Sequence, residues 1–269
     1  MIIIGELING TRKAVAAAVA QRDAEHLRDH ARKQEAARAS FIDCNAGTPS
    51  DRELGDMVWV VRTVQEVTSL PLAIDSPNPK VVEAGLDAYT GSATPMVNSV
   101  SLEKARVGTM LPLAAERQTN VVALAMDDGG VPSKPGERES VAKRLIETCV
   151  NAGLPPGNLY VDPVVTTQSS DTCTGPLILQ AVAAIRQFAP EVHITGGLSN
   201  ISFGLPNRKL LNRVFVTLCM GYGLDSGILD PTDEHLMATI IAAEALLGRD
   251  EWCMGYITAG RAGKLMDQG

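Results

Sequence analysis

At 269 residues, 45% hydrophobic and 20% charged, the chain has the make-up of a globular protein with enough apolar side chain for a sizeable core. A net charge of −7 and no dense run of Lys or Arg argue against sequence-independent binding to nucleic-acid phosphates. No apolar stretch is long enough to span a bilayer, and Met1-Ile2-Ile3-Ile4 runs straight into Gly5-Glu6 without a basic flank, so no membrane insertion or secretory signal is expected and the cytoplasm is the expected location.

Ile2-Ile3-Ile4 reads as a β-branched strand ending at Gly5-Glu6, followed by a helix-forming region from Ala14 to Ala39. Phe41-Ile42 leads into Asp43-Cys44-Asn45-Ala46-Gly47, after which Leu54, Met57, Val58, Val61 and Val64 keep helical spacing. Leu72-Ala73-Ile74 is a short apolar run that ends in Asp75 and is broken by Ser76 and two prolines; Lys80 to Leu86 then returns to helical spacing. Pro95 to Ser99 and a helix from about Leu102 to Ala115 make a fourth unit. Val121 to Met126 is the fifth strand, followed by an irregular loop from Asp127 to Arg138 and a helix from Glu139 to Ala152.

Asn158 to Pro163 carries Asp162 at its tip and precedes a helix near Pro176 to Phe188. Val192 to Thr195 opens into Gly196-Gly197-Leu198-Ser199-Asn200, a loop, and a helix from about Lys209 to Met220. Ser226 to Asp230 with a helix from Glu234 to Leu247 completes the eighth pair and leaves a short tail. Eight strand-and-helix pairs in this length predict one α/β domain, a closed (β/α)8 barrel, rather than an open doubly wound sheet.

Cys44, Cys149, Cys173, Cys219 and Cys253 are odd in number and far apart, without C-x-x-C spacing, so reduced and mostly buried thiols are expected. The four histidines are read as forming no H-x-x-x-H or H-E-x-x-H array, so no metal site is expected either.

In such a barrel the C-terminal ends of the strands converge on one face, which gathers Asp43, Asn45, Asp75, Asn98, Asp162, Ser199 and Asn200 around a common crevice. Each alone reads equally as a helix cap or turn residue; together they form a ring of hydrogen-bonding groups without a Schiff-base lysine, paired histidines or a partnered nucleophile. Carboxylates of this kind accept an N–H and NH2 pair in bidentate fashion, which suits a flat heterocycle such as a pterin.

The same residues carry a resemblance. GELING at Gly5 to Gly10, FIDCNAG at Phe41 to Gly47, LAIDS at Leu72 to Ser76, MVNS at Met96 to Ser99, YVDP at Tyr160 to Pro163 and GGLSNIS at Gly196 to Ser202 occur in barrel order along almost the whole chain. Together they resemble the methyltetrahydrofolate:corrinoid methyltransferases, relatives of the folate domain of cobalamin-dependent methionine synthase. The resemblance implies a single pterin-binding TIM-barrel methyltransferase domain over residues 1–269, a homodimer, (methyl)tetrahydrofolate as substrate, and a corrinoid (cobalamin) supplied by a partner protein.

It also implies pterin-binding roles for Asp75, Asn98 and Asp162 and a hydrogen bond from Asn200 to N5, with Gly197 and Ser199 in the same loop; Asp43 and Asn45, from the same strand-end ring, are expected to complete the pocket. Asn200 and Asp162 are the residues expected nearest the chemistry. A methyl group leaves badly from a neutral tertiary amine, so charge developing at N5 must be offset, and an Asn amide can donate without protonating.

Asp233-Glu234-His235-Leu236-Met237-Ala238 approaches a D-x-H-x-x-G corrinoid signature but ends in Ala and falls in the eighth barrel helix, so the corrinoid is expected from a separate protein, with the Asp127 to Arg138 loop a candidate contact. Dihydropteroate synthase is the nearest rival, but Asp162 is followed by Pro163-Val164-Val165-Thr166-Thr167 rather than a D-P-G-x-G-F stretch with a following lysine. A non-catalytic pterin-binding barrel is the other alternative. The direction of methyl transfer is open at this level.

Overall fold

A computed structural model of the chain describes residues 1–265. The first unit is β1 (Ile2–Asn9) followed by two helices, α1 (Lys13–Gln21) and α2 (Ala24–Ala36), where the sequence predicts one helical region. The break lies at Arg22, which takes a left-handed backbone at φ 57°, and Asp23, whose carboxylate accepts from the His26 N–H at 3.2 Å and starts α2 afresh. Next come β2 (Phe41–Asn45), α3 (Glu53–Gln65), β3 (Leu72–Asp75) and α4 (Pro79–Ala88). Pro79 opens α4, and the Asn78 side chain caps it by accepting from the Lys80 N–H.

β4 (Met96–Leu102) outruns its predicted end at Ser99, so the helix expected from Leu102 begins later and divides into α5 (Lys104–Val107) and α6 (Met110–Glu116) at Gly108-Thr109. The rest follows as β5 (Asn120–Asp127), α7 (Glu137–Asn151), β6 (Leu159–Asp162), α8 (Thr174–Phe188), β7 (His193–Ile194), α9 (Arg208–Gly221), β8 (Ser226–Leu229) and α10 (Glu234–Leu246). The stretch expected to be a tail forms a further helix, α11 (Met254–Arg261). Asp233 caps α10 by accepting from the Leu236 N–H, so the D-x-H-x-x-A spelling lies at a helix start as expected.

The eight strands are parallel and ordered β7-β6-β5-β4-β3-β2-β1-β8. Closure falls between β7 and β8, where the Ile228 N–H donates to the Gly196 carbonyl at 2.9 Å and the Asp225 N–H to that of Ile194 at 3.4 Å. The predicted (β/α)8 barrel is therefore present, with a thin seam.

Strand side chains alternate between two cores. Ile4, Phe41, Ala73, Met96, Val122 and Tyr160 pack together inside the barrel, while Ile42, Cys44, Ile74, Val97 and Val161 belong to the larger core between sheet and helices. Cys44, Cys149 and Cys219 are buried, and Cys173 and Cys253 are exposed.

Candidate functional site

The alternation that fills the barrel also builds the site. Two residues beyond five of these six interior side chains stands a polar group: Ile4 is followed by Glu6, Phe41 by Asp43, Ala73 by Asp75, Met96 by Asn98 and Tyr160 by Asp162, while Val122 is followed by Leu124. With a side-chain period of two, all five point inward above the apolar plug, at the mouth of the barrel.

On the β2–β4 side this layer is tied by side-chain hydrogen bonds. Asn98 donates from Nδ2 to Asp43 Oδ1 at 3.0 Å, reaching past the intervening strand, as expected when alternate barrel strands share a layer. One level higher, Asn45 donates to Asp75 Oδ2 at 2.8 Å. Strand register sets the second pair: Asp43 lies opposite Ala73, which puts Asn45 level with Asp75. Gly10 and Gly47 let the loops after β1 and β2 meet above them. A Cβ on Gly10 would lie 2.0 Å from the Ala46 carbonyl oxygen, and Gly47 has φ 58°.

The electrostatics are those of a crowded carboxylate cup. Burial, then the neighbouring Asp75 charge, pushes the Asp43 carboxyl well above its ordinary range, with the Asn98 amide opposing. Burial raises Asp75, against the Asn45 amide and the Arg106 guanidinium. Glu6 is likewise raised by burial, against its 3.1 Å ion pair with Arg12. Such a cup holds several acceptors short of donors, a demand that a ligand edge rich in N–H groups meets.

Asp162, on the β6 side, is held differently. Its Oδ1 accepts from the Val164 N–H at 2.7 Å, and the N–H groups of Gly197 and Val165 and the charge of Arg138 also favour the carboxylate. Burial outweighs them and sets its pKa at about 6. Gly196 passes close by, since a Cβ there would lie 3.3 Å from Asp162 Oδ1 and 3.1 Å from Val165 Cγ2.

After Gly197 the chain turns through a 3-10 segment, Leu198–Ser202. Arg208 fastens it, donating from Nε to Ser202 Oγ at 3.0 Å and from Nη2 to the Ser199 carbonyl at 2.8 Å. Ser199 thus contributes a backbone anchor. Asn200 is exposed, with its amide lying over Gly197 and making no hydrogen bond among the described residues.

The structure therefore brings Asp43, Asn45, Asp75 and Asn98 into one hydrogen-bonded group and Asp162 beside Gly197. No described hydrogen bond joins Asn200 or Ser199 to any of these carboxylates. Glu6, Arg106 and Arg138 are additions to the sequence-derived set. Glu6 had a signal, since it lies in the GELING motif two residues beyond Ile4. The expectation that the histidines form no H-x-x-x-H pair is corrected by His26 and His30, which stand at that spacing on α2. Their Nε2 atoms lie 3.1 Å apart, and among the described residues no group of three or more His, Cys, Asp or Glu side chains is placed to hold a metal ion. No helix of the described residues is long and apolar enough to cross a membrane.

Residues 5–230 match the pterin binding enzyme family. The chain is 39% identical over 267 residues to the methylcorrinoid:tetrahydrofolate methyltransferase of Eubacterium limosum, covering 98% of each protein. It is 29% identical over 242 residues to methionine synthase of Mycobacterium tuberculosis, which is 85% of this chain and 20% of that protein. In fold it is similar to the dihydropteroate synthase of Xanthomonas albilineans bound to 4-aminobenzoic acid, with a TM-score of 0.67, 21% identity and coverage of 93% of this chain and 92% of that one. The chain belongs to the pterin binding enzyme family, in the branch that holds the methylcorrinoid:tetrahydrofolate methyltransferase of Eubacterium limosum.

Proposed function

We propose that the chain is a cytoplasmic enzyme, one pterin-binding barrel over its length, that moves a methyl group between the cobalt of a corrinoid carried on a separate protein and N5 of tetrahydrofolate. Identity of 39% to the Eubacterium limosum enzyme over 98% of the chain supports the direction from methylcorrinoid to tetrahydrofolate. The observation that carries the reading is the inward ring of Asp43 with Asn98, Asn45 with Asp75, and Asp162, a set of acceptors and amides without a protein nucleophile. The corrinoid supplies the methyl group and takes back the bonding electrons.

In this reading the carboxylates of Asp75 and Asp162 accept from the N–H and NH2 groups of the pterin, and Asn98, Asn45 and Asp43 fix its plane. Asn200 faces N5 from the loop after Gly197. Its amide can serve either direction: the oxygen accepts from N5–H while the N5 lone pair takes the methyl group and the N5 proton then passes to solvent, and in the reverse step the NH2 group donates to N5 as it regains a proton from solvent. The loop from Asp127 to Arg138 is a contact surface for the corrinoid protein. The test is to mix the protein with tetrahydrofolate and a methylated corrinoid protein and assay methyltetrahydrofolate by mass spectrometry. Condensation of a pterin with 4-aminobenzoate, without methyl transfer from any methylated corrinoid protein, would overturn the reading in favour of a dihydropteroate synthase.

The homodimer is supported by α9, whose outer face exposes Leu210, Leu211, Val214 and Leu218 at helical spacing, with Tyr222 exposed just past its end. A row of this kind on one helix is the sort of apolar patch that a twofold interface covers. Light scattering should give twice the monomer mass, and Leu218→Arg should halve it; a monomeric parent protein contradicts the assignment.

A further inference from the structure

Arg138 is the second residue of α7, at the foot of the Asp127 to Arg138 loop, yet it is only 4% exposed. Its Nη1 donates to the carbonyl oxygens of Pro163 and Val164, the latter at 2.7 Å. Its Nε is buried without a hydrogen-bond partner, and it makes no ion pair among the described residues. The two carbonyls belong to the turn that holds Asp162. Val164 sits there in the left-handed region at φ 62°, disfavoured for a β-branched residue, and its N–H donates to Asp162 Oδ1. A buried guanidinium is costly unless negative charge or oriented dipoles compensate it, and here the carbonyls and the Asp162 carboxylate do so.

We propose that Arg138 is the positioning residue for Asp162: it fastens the Pro163-Val164 turn so that the carboxylate faces the pterin, and it brings a guanidinium charge to that turn. This rests on the pterin reading of the site. Arg138 is the one charged side chain acting on Asp162; the other groups favouring its ionised form are the backbone N–H groups of Val164, Val165 and Gly197, while Glu139, next on α7, acts on Arg138. Pterin N–H donors favour the ionised carboxylate, so tetrahydrofolate should bind more tightly as pH rises through about 6, the pKa of Asp162.

The test is the pH dependence of tetrahydrofolate affinity, measured anaerobically by calorimetry on the full chain, with thermal melts alongside. Arg138→Gln keeps an N–H donor and loses the charge; it should move the midpoint of the affinity profile upward by about one pH unit, which weakens binding about twofold at pH 7 and about tenfold at pH 5. Arg138→Lys keeps the charge but not the planar fork, so its midpoint should stay with the parent while its affinity falls severalfold. A merely structural arginine would alter the melts and leave the midpoint in place. A parent-like midpoint in folded Arg138→Gln overturns the proposal, as does parent-like affinity in Arg138→Lys, which decides the matter if the Gln variant does not fold. A parent protein that binds no tetrahydrofolate overturns instead the pterin reading itself.

Discussion

The two sides of the barrel mouth are built on opposite terms. On the β2–β4 side, Asp43, Asn45, Asp75 and Asn98 project from strands and are paired to one another. On the β6–β7 side, Asp162 is held by backbone N–H groups of a turn, β7 is two residues long, and Asn200 stands exposed on a 3-10 segment. Groups on strands lose little freedom when a ligand arrives, whereas a loop amide can follow a reacting atom as a partner docks. The first side, together with Asp162, suits recognition of a flat ring, and the loop after β7 suits chemistry at its edge.

That contrast can be broken residue by residue. The largest effect is expected at Asn200. Asn200→Ala should lower the rate of methyl transfer about a hundredfold, on the order of 3 kcal/mol, with little change in tetrahydrofolate affinity. Equal losses in both quantities would erase the division between the two sides.

Asp75→Asn should show the opposite split. Loss of an ionised acceptor is expected to weaken tetrahydrofolate binding by about ten- to a hundredfold, or roughly 1–3 kcal/mol, with a smaller effect on turnover at saturation. Unchanged affinity, read by calorimetry, would remove Asp75 from the pterin pocket.

A third effect falls on the stability of the ligand-free protein. Burial raises Asp162 from its ordinary range to about 6, so between these values the folded chain holds a proton that the unfolded chain has released. Its contribution to stability is therefore fully present below about pH 4 and lost as pH rises through about 6. Asp162→Asn should remove that penalty, raising stability at pH 7 by up to about 3 kcal/mol and flattening the dependence between pH 4 and 7. Denaturant melts at the two pH values read this directly, and a parent-like slope in the variant contradicts it.

Much of the first side was legible in the sequence. Leu72-Ala73-Ile74-Asp75 announces a buried strand with a polar tip, and the period of two carries Asp43, Asp75, Asn98 and Asp162 to the same mouth once the barrel is inferred. The pairings were not legible, because Asn45 finds Asp75 through strand register and Asn98 finds Asp43 across the barrel interior. Arg138 looks in sequence like one more charge in a solvated loop, and only the approach of α7 to the turn after β6 buries it. The break at Arg22-Asp23 and the helix α11 were missed because helix propensity outweighed a single capping aspartate in one case and because the tail lacked strong apolar periodicity in the other.

The most direct test of the central claim follows the cobalt spectrum when the protein is mixed anaerobically with saturating tetrahydrofolate and a methylated corrinoid protein. Demethylation of the cobalt at a rate about a hundredfold slower in Asn200→Ala is the predicted result. A cobalt spectrum that stays unchanged while the parent protein binds tetrahydrofolate would contradict it.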